Sequence, residues 1–240
     1  MQQRLPRLLD VPITFGHRGA KGYLPENTLA GFELALKLGA NGLESDAWLT
    51  ADGVVVLDHD GIVRSRMRRS RPISTVRRDE LPPHIPTLVE LFERCGGDFH
   101  LSLDLKDELV GQAVIETTRR LAPQIVDRLW LCHPGVQLLA DLRALDAAVK
   151  LVNSTRLKAM KRGPEARAAT LAELQIDAVN MHYTDWSGGL TTLFHRFERV
   201  AFSWDLQYEH LLIDAFRMGV DGVFSDFPDR MVDALSAAGS

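Results

Sequence analysis

The sequence predicts an α/β protein: a (β/α)8 TIM barrel with a β-hairpin extension after strand 2. Three observations carry this prediction. Eight short apolar segments typical of strands recur along the 240 residues. Amphipathic segments of helical length separate most of them, which indicates parallel βαβ units. The chain length is close to the roughly 250 residues of one barrel, and no low-complexity linker or internal repeat divides it. We therefore expect residues 1–240 to form a single domain.

The predicted elements follow one another in a regular order. The strand segments are ITFGH, GLESDAWL, FHLSLDLK, RLWLCH, VKLVNS, DAVNMHY, RVAFSW and DGVFSD. The helical segments are NTLAGFELALKLG, TLVELFERCG, LVGQAVIETTRRL, VQLLADLRAL, EARAATLAEL, LTTLFHRF and HLLIDAFRMG. Eight parallel strands alternating with such helices are the pattern of a closed barrel, whose functional residues lie at the carboxyl ends of the strands.

One connection is too short for a helix. Between Glu44 and His59 the sequence is ESDAWLTADGVVVLDH, in which Asp52-Gly53 is typical of a two-residue hairpin turn. We interpret this stretch as a hairpin that extends the second strand above the barrel mouth. With that turn, Asp46 lies directly opposite His59 and shares a face with Glu44. Two carboxylates and an imidazole would then converge at the mouth.

Composition and charge exclude several classes of protein. Hydrophobic residues make up 45% of the chain and charged residues 25%, as in average globular proteins. The net charge of −4 gives no general attraction to nucleic acid or to anionic membranes. No segment approaches the roughly 18 apolar residues of a membrane helix, and the first residues lack the core of a signal peptide. We expect a cytoplasmic enzyme without stable membrane insertion; the sequence does not predict its oligomeric state.

Two further features have structural interpretations. Cys95 and Cys132 are too few for a disulfide framework or a cysteine zinc site, and we expect both to be buried core thiols. From Arg64 to Arg78 the run RSRMRRSRPISTVRR carries seven arginines without helical or strand periodicity. Such a run is typical of a solvated loop, and attraction of a phosphate-bearing ligand is the alternative.

Acidic residues near the ends of two successive barrel strands predict a metal site. Glu44 and Asp46 would point into the mouth, where adjacent anions are costly unless a cation lies between them. Asp104 of LSLDLK ends the next barrel strand, on the same alternating face as Lys106. Oxygen ligands of this kind suit one hard divalent ion, Mg²⁺ or Ca²⁺. Lys106 would contact a phosphate oxygen or hold a carboxylate in place.

The GHRG sequence after the first strand adds a histidine and a candidate phosphate ligand. Arg18 presents a planar fork of donors, and the flanking glycines allow a ligand to approach the backbone closely. His17 and His59 would lie across the metal site, which suits proton removal and proton delivery during displacement at phosphorus. His133 and His182 also follow predicted strands, and we expect them to be structural or peripheral.

The stretch HRGAKGYLPENTLAGFELALKLGANGLESDAWLTADGVVVLDHDG resembles the signature of the glycerophosphodiester phosphodiesterase family, with HRG, PENT, E-x-D, T-x-DG and HD elements in order. The weaker elements IPTLVEL, LDLK, SW and GVFSDFP extend the resemblance along most of the chain. The family belongs to the phospholipase C-like phosphodiesterase superfamily and has a (β/α)8 barrel. The resemblance implies metal-dependent hydrolysis of a small glycerophosphodiester to glycerol 3-phosphate and an alcohol.

The resemblance also implies roles for the matching residues. His17 and His59 would be the acid/base pair, and Arg18 would contact phosphate. The E-x-D carboxylates would bind the metal together with Asp104, at a position where the family usually has glutamate. This shorter side chain leaves the choice between Mg²⁺ and Ca²⁺ open.

Three more positions are carried over in the same way. Glu26 and Asn27 of PENT would support the site, and Asn27 is also a candidate N-cap for the following helix. Trp204 matches a tryptophan that packs near the substrate. Here the next residues are Asp205-Leu206-Gln207, where family members often have Thr-Val-Asn, so substrate fit is expected to differ.

Two alternative functions remain open. An enzyme of the same superfamily that acts as a lysophospholipase D or sphingomyelinase D, like the phospholipase D toxins, would share aspartate as the third metal ligand. Those toxins are secreted and disulfide-bonded, whereas this chain has two cysteines. A non-catalytic barrel that binds phosphate ligands would need a lost catalytic group, and no central position carries an inert residue.

Overall fold

The computed structural model describes residues 5–64 and 70–239 and contains a parallel barrel surrounded by helices. Its strands are β1 (Ile13–Gly16), β2 (Gly42–Leu49), β3 (Val55–Leu57), β4 (Ile62–Val63), β5 (Arg71–Pro72), β6 (His100–Leu105), β7 (Leu129–His133), β8 (Lys150–Thr155), β9 (Ala178–His182), β10 (Val200–Trp204) and β11 (Gly222–Ser225). Its α-helices are α1 (Leu29–Lys37), α2 (Leu88–Cys95), α3 (Val110–Leu121), α4 (Val136–Leu145), α5 (Pro164–Glu173), α6 (Gly188–Arg196), α7 (Glu209–Arg217) and α8 (Pro228–Gly239).

The barrel closes because β1 pairs in parallel with both β2 and β11. Between these two neighbours the order is β2, β6, β7, β8, β9, β10 and β11, and every pairing is parallel. Each predicted strand segment overlaps one of these eight strands, so the (β/α)8 prediction is confirmed. The last helix, α8, lies beyond the helical segments that the sequence pattern indicated.

Side-chain caps explain where the first two helices begin. The Thr28 hydroxyl accepts a hydrogen bond from the Gly31 amide at 3.2 Å and caps α1. Thr87 and Glu90 form a capping box at the start of α2, in which each side chain bonds the other residue's amide. The prediction that Asn27 caps α1 is wrong, because the helix starts one residue later and Asn27 lies in a left-handed conformation with φ +53°.

Aromatic rings fill the barrel interior below the mouth. Phe15 stacks on Phe224 with ring centroids 4.5 Å apart, and Trp130 meets Phe202 edge-on at 4.8 Å. A larger apolar cluster lies between the strands and the surrounding helices. These two layers follow from the alternation of inward and outward side chains along each strand. Since these rings fill the interior, polar groups at the carboxyl ends of the strands lie above a packed apolar layer.

The hairpin after β2 has a longer turn than the sequence indicates. The Thr50 amide donates to the Val54 carbonyl at 3.0 Å, and the Gly53 amide donates to the Thr50 carbonyl. Three residues therefore form the loop, and Gly53 takes a left-handed φ of +78°. A turn followed by a left-handed glycine is a common three-residue hairpin connection. The two-residue turn prediction is wrong for this reason.

This extra loop residue changes the pairing register of the hairpin. The end of β2 pairs antiparallel with β3, with Ala47 opposite Leu57. The amide of Asp58, and not that of His59, donates to the Asp46 carbonyl at 3.0 Å. The predicted position of His59 opposite Asp46 is therefore wrong by one residue.

The cysteines and arginines also have defined places. Cys132 is buried in the barrel, as expected, but Cys95 is only half-buried at the end of α2, so that part of the prediction is wrong. In the arginine-rich run 64–78, residues 65–69 lie outside the described residues. Arg64, before these residues, and Arg71, after them, form surface ion pairs with Asp60 and Glu80.

None of the helices in residues 5–64 and 70–239 has both the length and the apolar character that crossing a bilayer requires.

Candidate active site

A cavity of about 320 Å³ opens at the carboxyl ends of the barrel strands. One side is lined by predicted site residues: His17, Arg18, Glu44, Asp46, His59, Asp104 and Lys106. The other side is lined by residues from later strands: Ser154, Asn180, Trp204, Asp205, Gln207 and Phe224. Of these, only Trp204 was among the sequence-predicted site residues. The remaining five were not predicted as site residues, and barrel closure brings them to the cavity.

Three carboxylates converge on the first side of this cavity. Glu44 and Asp46 are two residues apart on β2, so their side chains share a face. The parallel register of β2 and β6 sets Asp46 beside Asp104. One oxygen from each of the three groups lies within 4.8 Å of the others. Glu44 and Asp46 are 5% and 2% exposed, so little solvent reduces their repulsion.

This enclosure shifts the ionisation of the cluster. Burial, together with the charges of Asp46 and Asp104, raises the pKa of Glu44 to about 7 although His17 opposes the shift. Enclosure in the cavity and the charge of Asp46 also raise the pKa of Asp104. Carboxyl groups destabilised in this way are stabilised by a cation between them. Because every ligand atom is a carboxylate oxygen, the residues fit a hard divalent ion such as Mg²⁺ or Ca²⁺.

Two basic side chains border the carboxylates. Lys106 Nζ lies 2.9 Å from Asp46 Oδ1 and 3.4 Å from Asp104 Oδ2. Arg18 Nε lies 3.3 Å from Asp46 Oδ2, and its other end donates to Glu26 at 2.9 Å. Lys106 thus lies against two carboxylates, as it would if it held them in place. Glu26 in turn fixes the direction of the Arg18 guanidinium.

Asn27 contacts the same carboxylate cluster through Asp46. Its amide nitrogen donates to Asp46 Oδ2 at 3.3 Å, and its carbonyl oxygen accepts from the Ser45 hydroxyl at 2.7 Å. Asn27 is buried, so these bonds satisfy polar atoms that water does not reach. Asn27 therefore links the Asp46 carboxylate to the Ser45 hydroxyl.

His17 is held between two acidic groups. Its Nδ1–H donates to Asp226 Oδ1 at 2.6 Å, and its Nε2 lies 3.8 Å from Glu44 Oε2. Burial lowers the pKa of His17, but Glu44 and the bond to Asp226 outweigh burial and leave that pKa raised. Asp226 was not among the site residues predicted from the sequence. The available signal was its place after the last strand, which barrel closure sets beside the first.

His59 has a more open setting beyond β3. Its side chain is 40% exposed, and its Nδ1–H donates to Asp60 Oδ1 at 3.0 Å. Asp60 also accepts from Arg64 at 2.6 Å. Although the hairpin register differs from the prediction, His59 still lines the cavity. The structure therefore brings both predicted acid/base histidines to the cavity.

Trp204 lies on the wall opposite the carboxylates. The His182 ring meets it edge-on with centroids 4.5 Å apart, and the guanidinium carbon of Arg156 lies 5.7 Å from its ring centre. His182 and His133 do not themselves line the cavity. Their structural or peripheral position agrees with what the sequence indicated.

Comparison with known proteins agrees with this architecture. A model of the "Glycerophosphoryl diester phosphodiesterase family" matches residues 17–230. A glycerophosphodiester phosphodiesterase of Bacillus altitudinis is 28% identical over 243 residues, covering 91% of this chain and 96% of that protein. A glycerophosphodiester phosphodiesterase structure from Thermotoga maritima superposes with a TM-score of 0.81 at 24% identity, over 94% of this chain and 99% of that one.

A phosphodiesterase of Oleispira antarctica, solved with the product sn-glycerol-3-phosphate, has a TM-score of 0.80 at 23% identity, over 94% of this chain and 97% of that one. At these identities the two structures show that the fold is shared. The family match spans seven of the eight barrel strands and includes every residue of the carboxylate cluster and both cavity histidines. This chain is therefore an enzyme of the glycerophosphoryl diester phosphodiesterase family.

Proposed function

We propose that the protein hydrolyses small glycerophosphodiesters to glycerol 3-phosphate and an alcohol, using one divalent metal ion, Mg²⁺ or Ca²⁺. The observation that carries the proposal is the convergence of the three carboxylates with His17, His59 and Arg18 in one cavity. Family membership supports the substrate class. The product named for the Oleispira antarctica structure supports the choice of product.

Glu44, Asp46 and Asp104 would hold the ion, which when bound offsets the charge of the phosphate and polarises its oxygens. Arg18 adds guanidinium donors on the same side of the cavity, a geometry suited to phosphate oxygens. Lys106 holds its two carboxylate neighbours in position, because its ammonium lies against both of them.

The two histidines move the protons. One imidazole removes a proton from the attacking oxygen, supplied by water or by the substrate's own 2-hydroxyl, as a new O–P bond forms. The other delivers a proton to the departing alkoxide as the P–O bond to the alcohol breaks. With the 2-hydroxyl as nucleophile, water then opens the cyclic phosphate. Asp226 acts as a positioning residue, because its bond to Nδ1 of His17 leaves Nε2 facing the carboxylates.

The test measures glycerol 3-phosphate release from glycerophosphocholine and glycerophosphoethanolamine after EDTA treatment and again with Mg²⁺ or Ca²⁺ restored. We expect activity only with metal, and a loss of about 10²- to 10⁴-fold in His17→Ala, the usual contribution of a general acid or base. His210→Ala is the matched control, because His210 is exposed on α7 and does not line the cavity.

Other outcomes point to the alternatives. Release of choline from lysophosphatidylcholine, with none of either product from the two glycerophosphodiesters, would contradict the proposal and favour a lysophospholipase D. Binding of glycerol 3-phosphate without turnover of any substrate would favour a non-catalytic barrel.

A further inference from the structure

The cavity wall opposite the metal-binding carboxylates carries a negative charge that hydrolysis does not use. In the barrel order, β10 is four strands from β6 in either direction, so the two strands face each other across the mouth. Asp205 directly follows β10 and lines the cavity. Its side chain is 48% exposed, so a ligand in the cavity can reach it.

Among the described residues, Asp205 has two polar partners, a histidine and a glutamine, but no permanently charged one. His182 Nε2 lies 3.1 Å from Oδ2, and the Gln207 amide donates to Oδ1 at 3.3 Å. Within residues 5–64 and 70–239, no lysine or arginine forms an ion pair with Asp205. The metal-binding carboxylates differ, since Arg18 and Lys106 lie against them. Asp205 therefore retains lone pairs and negative charge for a ligand.

Aromatic surface adjoins this carboxylate. Trp204 immediately precedes Asp205, and both residues line the cavity. The guanidinium over the Trp204 ring belongs to Arg156, whose charge is paired with Asp185 at 2.5 Å. This wall thus combines an aromatic side chain with a carboxylate that forms no ion pair with a lysine or arginine of the described residues. Aromatic rings attract cations electrostatically, and a carboxylate adds a charge-assisted contact, so the combination suits an ammonium group.

We propose that Asp205 and Trp204 bind the positively charged amine of the leaving alcohol, so that the enzyme prefers choline and ethanolamine esters to uncharged ones. The proposal rests on the proposed hydrolysis. With the phosphate beside Arg18 and the carboxylate cluster, an alcohol directed across the mouth would reach the wall formed by β10. The cavity of about 320 Å³ is within the size range of sites for small ligands.

The experiment compares kcat/KM for glycerophosphocholine, glycerophosphoethanolamine and glycerophosphoglycerol. The leaving alcohol of the third substrate, glycerol, is uncharged. Asp205→Asn is the informative variant, because asparagine tolerates the φ of +67° at this position and keeps the side-chain size. We expect it to lower kcat/KM for both amine substrates by about tenfold, as for loss of one contact to a charged group, and to change glycerophosphoglycerol by less than about twofold.

Glu209→Gln is the matched control. Glu209 is an exposed acid in the first turn of α7, four residues from Asp205, and does not line the cavity. Glu209→Gln removes one negative charge from the protein, as Asp205→Asn does, but outside the cavity. We expect all three substrates to keep their kcat/KM within about twofold, since exposed charges outside the cavity contribute little.

A second measurement uses the wild-type enzyme alone. Choline should inhibit glycerophosphoglycerol hydrolysis about tenfold more strongly than its uncharged isostere 3,3-dimethylbutan-1-ol, because only choline can form the charge contact. Equal inhibition by the two alcohols would overturn the proposal. An equal effect of Asp205→Asn on all three substrates, or no effect on any, would overturn it as well. Failure of the wild type to hydrolyse glycerophosphoglycerol and both amine esters would instead contradict the proposed hydrolysis.

Discussion

Replacing Asp226 by asparagine tests how the proposed acid/base histidine is held. The Asp226 carboxylate accepts from Nδ1 of His17 at 2.6 Å, so it selects the tautomer that leaves Nε2 toward the metal site. Asparagine has the same shape. It also keeps the backbone contacts, in which the Asp226 carbonyl accepts from Gly22 and its amide donates to Gln207. The substitution therefore removes the charge and the fixed acceptor while leaving the loop in place.

The magnitude follows from the type of bond that is lost. A hydrogen bond to a charged group contributes about 1.5–3 kcal/mol. If this stabilises the reactive orientation of His17, Asp226→Asn should lower kcat by about 10- to 150-fold. Burial lowers the pKa of His17 while Glu44 and Asp226 raise it, so loss of the Asp226 carboxylate should lower that pKa. The limb of the pH–rate profile governed by His17 should move to lower pH.

The assay is kcat for glycerophosphoethanolamine with saturating metal between about pH 5 and 9, where histidines titrate. Asp229→Asn is the control, because Asp229 lies in the same segment but bonds the exposed Tyr23 hydroxyl outside the cavity. A kcat within about twofold of the wild type together with an unmoved pH profile would refute the reasoning. A purely structural role would lower the melting temperature without moving the profile.

Three further predictions concern the metal site and stability. Asp104→Asn should weaken Mg²⁺ and Ca²⁺ binding in calorimetry by more than the roughly 10- to 100-fold typical of a supporting residue, since it removes a ligand charge. Gly19→Ala should lower the free energy of unfolding in urea by about 1–3 kcal/mol. The reason is that φ is +83° and an added Cβ would lie 2.7 Å from the backbone of α1. Burial and Arg128 lower the pKa of His100 to about 4, and its Nδ1 accepts from Trp130. A histidine in the unfolded chain has a pKa of about 6.5, so the unfolded state takes up the proton first as pH drops. The free energy of unfolding therefore falls between about pH 6.5 and about pH 4. His100 contributes at most about 1.4 kcal/mol per pH unit to the slope of unfolding free energy against pH. In His100→Asn this contribution should be absent.

Each of these predictions has a result that contradicts it. Unchanged metal affinity in Asp104→Asn would remove that residue from the ligand set. Equal unfolding free energies for Gly19→Ala and the wild type would show that the loop relaxes around a methyl group. Parallel curves of stability against pH for His100→Asn and the wild type would show that His100 is not the titrating group.

Much of the fold was accessible from local pattern. The strand segments are short and apolar, the helical segments are amphipathic, and their alternation indicates parallel units regardless of distant contacts. The same local spacing placed Glu44 and Asp46 on one face, since side chains alternate with period two along a strand. Asp104 and His17 were assigned to the mouth because each follows or ends a predicted barrel strand.

Only the tertiary structure decided the hairpin register and the contacts between distant strand ends, because these depend on turn geometry and barrel closure. The left-handed φ at Gly53 added a residue to the hairpin loop and moved His59 out of register with Asp46. Closure of β1 against β11 brought Asp226 to His17 across 209 residues of sequence. Sequence periodicity reports which face a side chain takes, whereas distances between strand ends arise only when the sheet closes. By itself, therefore, the sequence determined the barrel and the chemical types at its mouth. Only the closed structure decided which of them touch and that Asp205 faces the carboxylate cluster.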